Sequence, residues 1–141
     1  MSLNYLSLEI RILANQIYKR LIMDGAPLPS MHQCFILQYI VSNSNKKISQ
    51  REIEELFSIR RSTANHMLKL LEKDDYIKRE TSTEDARIKI IKATQKGIEA
   101  SKYSDECIKK LEDRLCQGIS EEEIDTLRGI MRKLWYNIKC E

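Results

Sequence analysis

The stretch that decides the fold is ISQREIEELFSIRRSTANHMLKLLEKDDYIKRETSTEDARIKIIK, Ile48 to Lys92. Ser49 followed three residues later by Glu52 is a helix-start pattern, in which the hydroxyl caps the third amide and the carboxylate reaches back. It predicts a short helix over 50–57 with Ile53, Leu56 and Phe57 facing inward. Ser58-Ile59-Arg60 is a turn, and a second helix follows over 61–73. There Ala64, Met67, Leu68 and Leu71 recur at i, i+3, i+4 and i+7, which makes one buried face. After Asp74-Asp75 the period changes. Residues 76–80 and 87–92 have strand character, with Ile88 and Ile90 alternating with Arg87, Lys89 and Ile91, and the polar residues 81–86 form a hairpin tip. Short helix, tight turn, helix and two-stranded hairpin, in that order, make a winged helix-turn-helix.

Outward from this centre the chain reads as helix. Upstream, Leu6, Ile10, Leu13, Ile17 and Leu21 form one apolar stripe over 4–23, ended by Gly25, Pro27 and Pro29. Ser30 with Gln33 starts a helix over 31–41, and Ser42-Asn43-Ser44-Asn45 is a polar loop. Downstream, Thr94 caps a long helix over 95–116. Gly118 breaks it, and Ser120 with Glu123 starts a last helix that runs to about Lys139. In that helix Ile124, Leu127, Met131, Leu134 and Ile138 alternate spacings of three and four, as in a coiled-coil seam. The fold class is therefore mainly α with a small β-hairpin wing, a winged helix-turn-helix flanked by long dimerisation helices. Functionally the chain divides into an N-terminal dimerisation helix (1–28), a winged region (29–94) and C-terminal dimerisation helices (95–141), in one compact domain. The flanking helices carry more apolar stripe than so small a middle can cover, and a second copy of the chain is the natural place for it.

Composition sets the outer bounds. A chain of 141 residues, 42% hydrophobic and 32% charged, can bury a core without disulfides. Its net charge of +3 does not announce a nucleic-acid partner. The distribution does more: between Leu56 and Lys73, the cations Arg60, Arg61, Lys69 and Lys73 face only Glu72, so this segment alone carries +3. No apolar run is long enough to span a membrane. Nor does the N-terminus read as a signal peptide, because Glu9 and Arg11 interrupt its apolar stretch and no cation precedes it. The expected compartment is the cytoplasm, where Cys34, Cys107, Cys116 and Cys140 stay reduced. No C-x-x-C pair, metal motif, phosphate loop or nucleophile elbow occurs, so neither an enzyme nor a metal or other cofactor is expected.

Opposite the buried face of the 61–73 helix lie Ser62, Asn65, His66 and Lys69. These side-chain types suit base edges: Asn for adenine, Ser for any base, a cation for guanine or phosphate. Arg60 and Arg61 stand at the helix start, where phosphate contacts would position it. A plain solvated face has the same character, so the helix alone does not decide between the two.

Several segments resemble the MarR family of bacterial transcription factors: ISQREIEELF (48–57), STANHMLKLLEKDDYIKRE (62–80), DAR (85–87) and ATQKG (93–97). Asp-x-Arg followed closely by Thr-x-x-Gly at the start of a long helix is the more specific part. The resemblance implies a repressor-type regulator, released by a small aromatic or phenolic effector, that binds a pseudo-palindromic double-stranded DNA operator as a homodimer. By the same resemblance Ser62, Thr63, Asn65 and His66 enter the major groove, Arg87 enters the minor groove, and Asp85 holds Arg87 in position. His32 is a candidate for lining an effector pocket. Two departures stand out: Asp75 replaces the family's usual Gly, and Ala86 replaces a common wing arginine. The alternatives from other classes are a redox sensor acting through a cysteine, Cys34 among them, and a winged helix used to bind protein.

Overall fold

The computed structural model describes residues 4–26 and 30–139. Its order is α1 (Leu6–Met23), α2 (Met31–Ser42), β1 (Ile48–Ser49), α3 (Gln50–Phe57), α4 (Arg61–Lys73), β2 (Ile77–Thr81), β3 (Lys89–Ala93), α5 (Gln95–Leu115) and α6 (Glu121–Lys139). Packing divides the chain into two compact units, Met1–Ile108 and Lys109–Glu141, with the boundary inside α5.

In the first unit the core forms where α2, α3, α4 and the sheet meet. Ile36, Leu37, Ile40, Ile48, Ile53, Ala64, Leu68, Leu71, Ile77 and Ile91 are all buried. The sheet has three strands, in the order β1-β3-β2, all antiparallel. Pattern reading finds only the hairpin, because β1 is two residues long and exists through its pairing of Ile48 with Ile91 and Ser49 with Ile90. That pairing makes β3 the central strand, and the register sets Ile91 opposite Ile48 on β1 and Arg79 on β2. Ile91 is the buried one, whereas Ile88, expected to alternate inward, is exposed and precedes the strand. Both hairpin strands also begin later than the pattern suggests, at Ile77 and Lys89.

On α3, Ile53 is fully buried and Phe57 half-buried, but Leu56 is exposed, against expectation. A helix this short presents one narrow face, and the i+4 position stays on it while i+3 turns off its edge. Both α3 and α4 end in left-handed residues, Ser58 (φ 51°) and Asp75 (φ 62°). After α4 the Tyr76 N–H donates to Leu71 O (2.9 Å) and the Asp75 N–H to Glu72 O (3.1 Å), the paired bonds of a Schellman motif. Asp75 thus takes the conformation that glycine would occupy without strain.

The Thr-x-x-Gly segment has a direct structural reason. Thr94 Oγ1 accepts from the Gly97 N–H (3.0 Å), caps α5 and donates to Asp75 O. A Cβ on Gly97 would lie 2.0 Å from the Tyr76 carbonyl oxygen, so only glycine lets α5 sit this close to the chain entering β2.

The helix-start pattern is complete in one case of three. Ser120 and Glu123 exchange both bonds (2.9 and 3.1 Å). Ser30 and Ser49 accept from the amides of Gln33 and Glu52, but neither longer side chain returns the bond. Glu52 is drawn instead to the Tyr39 hydroxyl and to Lys46 Nζ (3.2 Å). Tyr39, then Lys46, holds its carboxyl below the usual glutamate value.

α1 runs from exposure to burial: Leu6, Ile10 and Leu13 are exposed, Ile17 is half-buried and Leu21 is fully buried. Gly25 follows it with φ 86°, while Pro27 and Pro29 lie outside the described residues, as does Cys140. In the second unit no residue of α6 is buried. Leu127, Met131 and Ile138 are exposed, and Ile124 and Leu134 half-buried, along the expected seam. Among the described residues no helix is long and apolar enough to cross a membrane.

Candidate nucleic-acid interface

The outer side of α4 and the tip of the β2–β3 hairpin hold most of the candidate residues. Arg60 (the residue before α4), Arg61, Ser62, His66 and Lys69 are exposed, and Thr63 is half-buried. Among the described residues Arg60, Arg61 and Lys69 have no ion-pair partner. Some other cations of this unit are paired, Lys46 with Glu52, Lys47 with Glu84, Arg51 with Glu55 and Lys92 with Glu80, whereas Lys73, Lys78 and Lys89 are not, among the described residues. An unpaired cation cluster keeps its charge available to an anionic ligand.

Beside this cluster lies an open cleft of about 640 Å³ lined by Gln50, Arg60, Arg61, Ser62 and Asn65. Gln50 was not legible as a site residue. It is the first residue of α3, and its Nε2 donates to the Arg61 carbonyl (3.4 Å), which ties α3 to the start of α4. The left-handed turn at Ser58 brings it there, and nothing in local pattern signals that approach.

Asn65 is not fully on the exposed face. It is half-buried, and its Oδ1 accepts from Arg79 Nη1 (3.3 Å). Arg79, on β2, also binds Glu72 through Nε and Nη2 (3.4 Å each). The parity of β2 was the available signal: Arg79 is two residues from buried Ile77 and pairs with buried Ile91, so it points inward.

The wing tip is a network of short-range bonds. Ser82 Oγ accepts from the amides of Glu84 (3.2 Å) and Asp85 (3.5 Å), and Lys47 Nζ grips Glu84 (2.8 Å) from outside. Arg87 lies in this tip and not at the start of β3, as the strand pattern had placed it, because the Ile88 N–H turns back to Asp85 O (3.0 Å). Asp85 Oδ1 accepts from the Arg87 backbone (3.0 Å) and from Nε (3.2 Å), and Oδ2 from Nη2 (3.2 Å). The guanidinium, and then the backbone N–H, hold the Asp85 carboxyl below the usual aspartate value. The Arg87 side chain is nevertheless 90% exposed, oriented at its base and open at its tip.

The other candidates lie elsewhere. His32 is exposed on the first turn of α2. Cys34 is fully buried, Cys107 is buried with its thiol on Asp24 O (3.7 Å), and Cys116 is half-buried. Among the described residues no cluster of His, Cys, Asp and Glu could hold a metal ion.

Comparison with known proteins agrees with this geometry. A model of the MarR family matches residues 27–88. An uncharacterized HTH-type transcriptional regulator, YwaE of Bacillus subtilis (strain 168), is 30% identical over 91 residues, covering 64% of this chain and 53% of that protein. The match thus spans about half the length of that relative. The crystal structure of the transcription regulator MarR from Oenococcus oeni PSU-1 superposes with a TM-score of 0.78 at 26% identity, over 94% of this chain and 99% of that one. A MepR–DNA complex from S. aureus superposes with a TM-score of 0.86 over 94% and 98% of the chains; at 20% identity it speaks to the fold alone.

Proposed function

We propose that this chain, which a model of the MarR family matches over residues 27–88, is a regulator of that family: a sequence-specific DNA-binding transcription regulator, a cytoplasmic homodimer without enzymatic activity. The reading is of a repressor that a small aromatic or phenolic effector releases. The observation that carries it is the row of unpaired cations and polar groups on α4 beside an oriented, outward-reaching wing arginine. α4 lies in the major groove, with Ser62, Thr63, Asn65 and His66 toward the bases and Arg60, Arg61 and Lys69 toward phosphates. Arg87, held by Asp85, enters the adjacent minor groove, where concentrated negative potential favours a planar cation.

The exposed apolar faces of α1 and α6 supply the dimer contact, so that residues 1–28 and 95–141 serve assembly and 29–94 serves DNA. His32, exposed at the start of α2, is the first residue to substitute in a search for the effector site.

Selection of bound sequences from a random DNA pool tests the reading. It should return a pseudo-palindrome with half-sites about 10 base pairs apart, one turn of duplex. Failure to enrich any sequence rejects the function, and an enriched site without dyad symmetry rejects the two-fold mode. Sedimentation at low micromolar concentration should show a single dimeric species, and a stable folded monomer would reject the assembly.

A further inference from the structure

Arg79 has no role in the reading above. It sits on the inner face of β2, in register with buried Ile91 and two residues from buried Ile77, and its side chain is only 11% exposed. A guanidinium set against a core needs partners for its N–H groups. Two come from α4: Glu72 takes Nε and Nη2, and Asn65 takes Nη1. These residues are seven apart, two turns of helix, so Arg79 lies along the flank of α4 and spans them.

The contact with Asn65 has a fixed polarity. Arginine carries five N–H donors and no acceptor, so the carboxamide atom that faces it is the oxygen. The Asn65 NH2 group is then the part left for the cleft that Asn65 lines with Arg60, Arg61 and Ser62. A free asparagine can offer a base both its oxygen and its NH2, the pairing that reads adenine through N6 and N7. With its oxygen turned to β2, Asn65 offers two donors instead. The matching major-groove edge is the one with two acceptors, O6 and N7 of guanine.

We infer that Arg79 is a positioning residue that locks the Asn65 carboxamide with its NH2 outward, so that this position of α4 selects guanine over adenine. This rests on the proposed binding of DNA through α4.

The test measures binding of the selected operator and of versions in which single base pairs of each half-site are exchanged. Asn65→Ala locates the position that Asn65 reads, by levelling the preference there. At that position the wild type should favour guanine over adenine roughly ten-fold. Arg79→Met keeps the length of the side chain and removes the donors, and the ratio should fall to about two-fold while preferences at other positions persist. Asn65→Asp keeps Arg79 paired but carries no donor, so it should lose the guanine preference with the fold intact, whether or not Arg79→Met folds.

A wild-type preference for adenine at that position, an unchanged ratio in Arg79→Met, a guanine preference surviving in Asn65→Asp, or no position levelled by Asn65→Ala would each overturn the inference. Should the wild type select no DNA sequence, the proposed function itself fails. The lock is then read in the free protein from the Asn65 side-chain NH2 resonances, which Arg79→Met should shift; unchanged resonances would overturn it.

Discussion

Replacing Arg87 with alanine separates the wing's contribution to DNA binding from its contribution to the fold. The side chain is 90% exposed and, among the described residues, bonds only within the tip, to Asp85. Its loss should leave the melting temperature within about 2 °C of wild type. Binding is another matter. Each phosphate-field cation contributes about 0.9 to the slope of log K against log salt, so two wings in a dimer contribute about 1.8. Scaled from 1 M salt, where this contribution vanishes, the alanine variant should bind roughly 60-fold more weakly at 0.1 M and roughly 9-fold more weakly at 0.3 M. Asp85 would remain beside the DNA without its cation, which can only deepen the loss. Arg87→Lys should restore the slope, because charge sets it. The lysine should still bind more weakly at every salt concentration, because a point charge lacks the fork that grips Asp85 and fits the narrow groove. The assay is a salt titration of operator binding for the three proteins by fluorescence anisotropy. An alanine variant with wild-type affinity and slope would remove the wing from the interface, and a parallel loss at unchanged slope would show that the contact is not ionic.

Three further substitutions test the frame that presents these residues. Gly97→Ala, which brings a Cβ to 2.0 Å from Tyr76 O, should cost about 3 kcal/mol in urea unfolding; a loss under about 1 kcal/mol would mean that α5 can shift freely off β2. Asp75→Gly should stabilise by about 0.5–1 kcal/mol, the relief of a left-handed residue less the added freedom of the unfolded chain; a less stable variant would show that the Asp side chain does more than tolerate its φ of 62°. Glu52 titrates below its ordinary value when folded, held there first by Tyr39, so its contribution is present above the unfolded value and lost as pH falls through the folded one. Tyr39→Phe should therefore flatten the loss of stability on acidification through the carboxylate range, and equal slopes for the two proteins would rule out this pair as a source.

The sequence by itself determined the elements whose signals are local. α3 and α4 occupy the residues expected of them, because Ser49 caps one, a left-handed turn separates them, and an apolar stripe of period 3.6 defines the inner face of α4. Asp75 in left-handed geometry and the pair of Asp85 with Arg87 likewise follow from residues close in the chain. Tertiary structure decided what depends on partners far along it. β1 exists only against β3, and the register of β3 with its neighbours sets Ile91 on the core face while Ile88 precedes the strand and stays exposed. Gln50 joins the cleft because the turn after α3 carries it to the start of α4, and Arg79 meets Asn65 across fourteen residues because β2 packs beneath that helix. Short-range periodicity records which face of an element is apolar, whereas the polarity of one side chain, such as the Asn65 amide, is set by whatever the fold places against it.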